Sequence, residues 1–279
     1  MAVQLDHLVV DVRDRMEEAV RRYQALGFRL TPRGRHSLGS ANHLVILGTD
    51  YLELLGTDLP GGELRPDLAG FPVGANGLVF RGQDLLSLYP KQQAREVPVQ
   101  QPLSFHRPVG LEDGSSAGDA RFTVLRLEPR CCFDGRVYWC EHFTPELVWR
   151  KEWQEHPNGA LAVCRVLLAA AEPARPTGML ERMFGPGALV TGADRQTMPL
   201  AYGARIEIAP ASAVAAELGG LMPEASGRQD FMALFGLRVA SLAATEALLA
   251  GNGIKAQRIG ATLRVPPAEA MNVTLEFSE

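Results

Sequence analysis

The chain opens on a short apolar run, "LDHLVVDV" (residues 5–12), in which Leu5, Leu8, Val9, Val10 and Val12 predict a buried strand interrupted by His7. The period then changes. In "RDRMEEAVRRYQALG", Met16, Ala19, Val20, Tyr23 and Leu26 recur at helical spacing and make one apolar face. Glu17 with Arg21 and Glu18 with Arg22 are i,i+4 pairs on the wet face, Asp14 reads as the N-cap, and Gly27 reads as the residue just past the helix. "FRLTP" returns as a strand and "RGRHSLGS" is a loop. "NHLVILG" and "YLELLGT", joined through "TD", read as a hairpin. The predicted unit is β-α-β-β-β.

The same order of elements recurs. "NGLVFRGQDLLSLYPKQQAREV" reads as strand then helix, followed by the strands "RFTVLRLEP" and "RVYWCEHFTP". "GALAVCRVLLAAAEPARPTGMLERMFG" opens a third unit closed by "ARIEIAP", and "DFMALFGLRVASLAATEALLAGNGI" opens a fourth closed by "MNVTLEFS". Each closing strand carries an acidic residue among apolar ones: Glu53, Glu141, Glu207 and Glu276. His7 and Glu53 lie 46 positions apart, as do Leu161 and Glu207, which aligns the first and third units. The Pro-rich stretch "YPKQQAREVPVQQPLSFHRPVGLEDGSSAG" reads as irregular, with a helix end, a short strand and a long surface loop. "TPELVWRKEWQEHPNG" joins the halves, and its anchors Val148, Trp149 and Trp153 predict that it packs.

Composition narrows the function classes. At 279 residues the chain suits one large or two ordinary domains; 46% of it is apolar and 22% charged, which is a globular balance. A net charge of -4 with no basic block gives no footprint for nucleic acid. No apolar run approaches the roughly 18 residues of a membrane span, and charge arrives early in "MAVQLDHLVVDVRDR", unlike a signal peptide. The expectation is a cytoplasmic protein with a small-molecule partner, neither nucleic acid nor membrane, and homodimerisation as an option. Cys131, Cys132, Cys140 and Cys164 form no C-x-x-C pair and read as plain thiols. No phosphate-binding loop, dinucleotide fingerprint or nucleophile elbow is present, so no organic cofactor is expected.

Four β-α-β-β-β units, with His7 in the first strand and glutamates in the closing strands, resemble the vicinal oxygen chelate superfamily. The closer likeness is to its glyoxalase-like group, across "LDHLVVDV", "GRHSLGSANHLVILG", "YLELLG" and "CEHFTPELVWRKEWQEHPNGAL". The resemblance implies an α+β fold in which two units pair into one cup-shaped sheet. That gives a first glyoxalase-like domain over residues 1–150, holding the ligand site, and a second over 151–279, degenerate because no histidine accompanies Glu207 or Glu276. It also implies a divalent metal (Mn, Fe, Ni, Zn or Mg would suit) held by His7, Glu53 and Glu141, with open positions for a substrate's oxygens. The sequence departs from the superfamily at "ANGLVF", where Gly77 beside Asn76 stands in place of a further ligand.

Alternation along "YLELL" points Glu53 away from Leu52 and Leu54 and into the cup. A buried carboxylate among leucines needs a partner, either His7, a metal or solvent, and the His7–Glu53 pair could also serve as a general base. His36 and Asn42 are expected at the mouth of the cup as substrate-binding residues. His43 and His142 should face away from it, His156 reads as structural, and Trp139, Trp149 and Trp153 as packing anchors. The function implied is a metal-dependent lyase, isomerase or dioxygenase acting on a small oxygenated metabolite; the alternative is a non-catalytic small-molecule binding protein using the same cup.

Overall fold

A computed structural model describes residues 2–58 and 61–279. All four predicted units form, but the strand expected over "FRLTP" is not there: the second strand of the first unit is the two-residue Gly34–Arg35, inside the predicted loop. The first is β1 (Leu5–Arg13), α1 (Met16–Ala25), β2 (Gly34–Arg35), β3 (Ala41–Ile46) and β4 (Tyr51–Gly56), and the short α2 (Pro66–Ala69) follows it. The second is β5 (Gly74–Arg81), α3 (Leu85–Gln93), β6 (Leu103–Gly110), β7 (Ser116–Arg126) and β8 (Arg136–His142). The third is β9 (Ala160–Ala170), α4 (Ala174–Phe184), β10 (Val190–Thr191), β11 (Gln196–Pro199) and β12 (Arg205–Pro210), followed by α5 (Ala211–Leu218). The fourth is β13 (Phe231–Val239), α6 (Leu242–Gly251), β14 (Gln257–Ile259), β15 (Thr262–Val265) and β16 (Thr274–Ser278).

Units one and two share an eight-stranded sheet of order β2-β3-β4-β1-β5-β8-β7-β6, and units three and four share another of order β10-β11-β12-β9-β13-β16-β15-β14. In each sheet the two opening strands pair antiparallel at the centre and each closing strand runs parallel to its own opener. The helix-facing sides of both sheets and the apolar faces of α1, α3, α4 and α6 merge into one core that includes Leu8, Tyr23, Leu52, Phe80, Val166, Leu180, Phe235 and Phe277. The opposite, concave side of each sheet has its own smaller cluster, one around Val9, Tyr51, Val79 and Tyr138, the other around Leu167, Val214, Phe231 and Leu234. The chain is therefore α+β, with tandem βαβββ modules forming two curved sheets, as expected.

Several local expectations need correction. The residue before α1 is Arg15, which makes no side-chain cap, so Asp14 is not the N-cap. Glu18 pairs with Arg22 at 2.8 Å, whereas Glu17 turns to Arg33. The Pro-rich stretch carries the expected helix end, as α3 runs through Pro90, but where a short strand and a long loop were expected it forms the eight-residue β6, in a hairpin with β7. Trp153 and Val148 are buried, so the joining segment packs. No helix among the described residues is long and apolar enough to cross a membrane.

Two register breaks in the β1–β5 pairing shape the first sheet. Leu5 faces Phe80 and His7 faces Val79, which leaves Asp6 as an extra residue in β1. Likewise Val9 faces Gly77 and Val10 faces Ala75, which leaves Asn76 as the extra residue in β5. Such bulges re-aim side chains. Leu5 and Ala75 belong to the main core, while His7 lies on the concave side.

Candidate functional site

The first cup is lined by His7 from β1, His36 after β2, Asn42 and Leu44 from β3, Tyr51, Glu53 and Leu55 from β4, and a set of arginines and aromatic residues from the second unit. Alternation explains the closing strand: Leu52 and Leu54 join the main core and Glu53 points the other way.

Asp6 positions His7. Its carboxylate lies 2.6 Å from His7 Nδ1, 3.0 Å from His142 Nε2 and 2.5 Å from Arg81 Nε. Burial alone would push this acid up, but His142 and His7 outweigh it and hold it far below the usual carboxylate range. Asp6 is thus an ionised acceptor, His7 Nδ1 is the donor, and the Nε2 lone pair faces the cup. There it lies 3.2 Å from the Tyr138 hydroxyl and 3.6 Å from Glu53 Oε2. Tyr51 stacks on the His7 ring at 4.3 Å between centroids.

Glu53 is the centre of the polar set. Asn42 Nδ2 donates to its Oε1 at 2.6 Å, and His36 Nε2 lies 3.8 Å from the same oxygen. Burial opposes the charge, but His7, His36 and the Asn42 bond prevail, and the carboxyl is held below its ordinary range. His36 is pushed down to about 4, chiefly by burial, with Arg107 and Arg65 adding to the effect and Glu53 opposing it. Its imidazole is therefore neutral near pH 7, with Nδ1 tied to the Ser40 hydroxyl at 2.9 Å.

The structure gathers His7, Glu53, His36 and Asn42 in one cup and sends Glu141 elsewhere. Glu141 accepts from the backbone N–H groups of Asp84 and Leu85 at 2.8 and 3.1 Å, at the start of α3. The ladder gives the reason. His7 is level with Tyr51 and Val9 with Glu53, while Gly77 is level with Arg136 and Val79 with Tyr138. The second-unit counterpart of Glu53 is therefore Tyr138, three residues earlier than the acidic residue in the sequence. Gly77 answers to close packing, since a Cβ there would sit 2.6 Å from Val9 Cγ2.

Among the other histidines, His142 lies with Asp6 rather than away from the site. His43 is fixed by the Thr31 carbonyl at 2.8 Å, and His156 bridges the Ile46 carbonyl and the Arg29 N–H. Sequence reasoning missed Asp6, Tyr138 and the arginines; the one available signal was the acid beside His7 in an otherwise apolar strand.

Two donor groups invite a cation. Asp6, Cys140 and His142 cluster within 4.8 Å. However, Asp6 is already paired with Arg81, and burial raises the Cys140 thiol well above its ordinary value, so it stays protonated. His7, His36 and Glu53 offer donor chemistry that suits a divalent metal, a carboxylate with imidazoles at 3.6 and 3.8 Å, although their ligand atoms converge less closely than those of the first group.

The second cup has the same frame and another chemistry. Val166, level with Ile206, and Leu167, level with Glu207, place Arg165 where His7 stands, so Leu161 is not its counterpart. Leu161 is instead 46% exposed. Arg165 bonds Glu207 at 2.8 Å, Glu217 of α5 at 2.7 Å and Glu276 at 3.1 Å. Arg264 bonds Glu276 at 2.7 Å, and Arg195 reaches Glu207 at 2.8 Å. Val214 and Leu218 of α5 pack into the concave face.

A family model described as "Glyoxalase-like domain" matches residues 5–184. No curated protein matches the chain significantly. Among solved structures, a hypothetical protein from Staphylococcus aureus is similar at 11% identity and TM-score 0.68, covering 99% of both chains. A triple mutant of 4-hydroxymandelate synthase from Streptomyces coelicolor is similar at 10% identity and TM-score 0.59, covering 99% of this chain and 92% of that one. A xylose isomerase-like TIM barrel/4-hydroxyphenylpyruvate dioxygenase fusion protein is similar at 12% identity and TM-score 0.55, covering 99% of this chain and 49% of that one. At these identities the likeness is one of fold. On the family match, the chain belongs to the glyoxalase-like domain family of the vicinal oxygen chelate superfamily.

Proposed function

We propose that the first cup is the active site of a metal-dependent enzyme acting on a small oxygenated metabolite, with dioxygenase chemistry ahead of lyase or isomerase chemistry. The observation that carries this reading is the buried Glu53 carboxylate flanked by His7 Nε2 at 3.6 Å and His36 Nε2 at 3.8 Å. Two imidazoles and one carboxylate with open positions suit a divalent iron-type centre, and two of the similar structures have names that speak of a synthase and a dioxygenase. His7, His36 and Glu53 would hold the metal; when bound it would polarise the substrate's oxygens as a Lewis acid.

The chain's own groups have separate tasks. Asp6 keeps the His7 proton on Nδ1. Asn42 fixes the rotamer of Glu53 and occupies Oε1, leaving Oε2 on the His7 side. Tyr138, whose hydroxyl donates to His7 Nε2, is free to donate to substrate when that nitrogen is engaged. Phe105, Phe122 and Val148 line the cup and exclude water from it. The first half is the ligand-binding domain and the second supports it.

The test is the metal content of untagged protein. Near-stoichiometric divalent metal in the wild type, lost in His7→Ala and Glu53→Gln and reduced in His36→Ala, is expected. Folded protein that takes up no metal from any divalent salt would end this reading.

A further inference from the structure

We infer that the first cup takes a small carboxylic acid with an apolar body, its carboxylate received by Arg107. This rests on the cup being a ligand site, as proposed above, and names the class of ligand. Arg107, on β6, lines the cup and is 3% exposed. Its guanidinium has no hydrogen bond or close ion pair among the described residues, where a buried guanidinium ordinarily has several, and Glu53 is the only carboxylate whose charge acts on it. Burying an unpaired cation is costly and calls for a partner that arrives from outside.

Its neighbours add to the argument. Arg65, Arg126 and Arg136 line the same cup, and all three lean on one carboxylate, Asp67, at 2.9, 3.5 and 3.7 Å. Arg126 Nε and Arg136 Nη2 are buried without a hydrogen-bond partner. Four guanidinium groups thus face two carboxylates, Glu53 and Asp67, with Asp11 behind Arg136, leaving an excess of positive charge in a concave, buried site. The backbone makes room for it: a Cβ on Gly34 would sit 2.5 Å from Arg107 Cδ and Nη1.

The rest of the wall is apolar. Phe105 and Phe122 stack at 5.2 Å between centroids, and Leu44, Leu55, Val124 and Val148 complete the lining. A planar carboxylate matches the guanidinium fork. Among the described residues no lysine lines the cup, and the one helix that starts at its wall, α2 after Arg65, is only four residues long. The second cup supplies the internal control, because there Arg165 and Arg264 are met by Glu207, Glu217 and Glu276 from the chain itself.

Calorimetric titration of the full chain with benzoate tests this, using its neutral isostere benzamide and inorganic phosphate as comparators, with metal content measured on every sample. Benzoate should bind at one site per chain, with benzamide and phosphate weaker. Arg107→Met should weaken benzoate by about thirtyfold or more, keep the wild-type metal content, and melt no lower than wild type. Arg107→Lys should restore part of the affinity. Equal binding of benzamide, equal or tighter binding of phosphate, an unchanged affinity in Arg107→Met, or no benzoate binding by wild type would each overturn the inference. So would binding that disappears with the metal in His7→Ala while ignoring Arg107. Metal-free protein that still binds benzoate through Arg107 would sustain the inference and end the metal reading alone.

Discussion

The two cups of this chain are built on one frame and differ in what closes them. In the first, the place beside the central glutamate holds a histidine; in the second, it holds Arg165. The first has Tyr138 where the second has a further glutamate, Glu276, since Val79 is level with Tyr138 and Gly236 with Glu276. After the closing strand, the first unit continues into the four-residue α2, and the third continues into the eight-residue α5, which lays Val214, Glu217 and Leu218 over the concave face. The second cup satisfies its buried charges from within. The first leaves Arg107 unmatched and groups its imidazoles around one carboxylate. The difference teaches that a retained buried acid is no sign of a retained function: Glu207 and Glu53 occupy the same place, and only Glu53 has partners that suit a ligand.

The comparison can be broken from either side. The largest effect should come from the second cup. Arg165→Met leaves Glu207, Glu217 and Glu276 short of their shared cation and should cost about 3–5 kcal/mol in urea unfolding, with no change in benzoate affinity; a loss under about 1 kcal/mol would mean that the network is worth no more than a surface pair.

Acid should open the cups in sequence. In metal-free protein His36 has a folded value of about 4 against an ordinary 6.5, so the unfolded chain binds its proton first, and stability falls as pH drops from 6.5 toward 4. Glu207 is lowered from 4.5 to about 2 despite burial, by Arg205 and Arg165, so its contribution is lost only between those two values. Hydrogen exchange of β3 amides should accelerate at higher pH than that of β12 amides, and His36→Asn should remove the earlier phase. The reverse order would contradict the assignment.

Gly34→Ala should be milder, about 1–3 kcal/mol, and should weaken benzoate binding by displacing Arg107 and Asn42; intact binding would show that the cup does not need that glycine. The smallest effect belongs to Glu141→Ala, about 1 kcal/mol from the start of α3, with metal content and ligand affinity as in wild type. Loss of metal in this variant would restore the ligand role that the sequence suggested for Glu141.

Much of this was readable in the sequence. The switch between period 2 and period 3.6 gave the four units, and alternation in "YLELL" turned Glu53 into the cup. What was not readable depends on register. Tyr138 and Arg165 take their places through ladder pairing, whereas sequence spacing suggested Glu141 and Leu161, three residues after and four residues before the positions that matter. Arg107 was hidden because a run with prolines at 102 and 108 reads as loop, yet β6 pairs with β7 along its length. The bulges were hidden too, because one extra residue leaves no mark on composition.

The extra residue in β1 has a consequence for insertions and deletions. Leu5 faces the core and His7 the cup, although they are two apart, because Asp6 is the supernumerary residue between them. A chain from which Asp6 is excised would keep Leu5 inward and His7 cupward with unbroken alternation, losing only the carboxylate that sets the tautomer of His7. The unit opposite has Asn76 in the same situation, its Oδ1 accepting from Arg136 Nε at 2.7 Å. The central pair of the second sheet has Leu161, Cys164 and Ala233 as its extra residues, none of them a carboxylate or an amide. Gain or loss of such single residues would let a sheet of this kind acquire or shed a polar site while its hydrophobic pattern stayed the same.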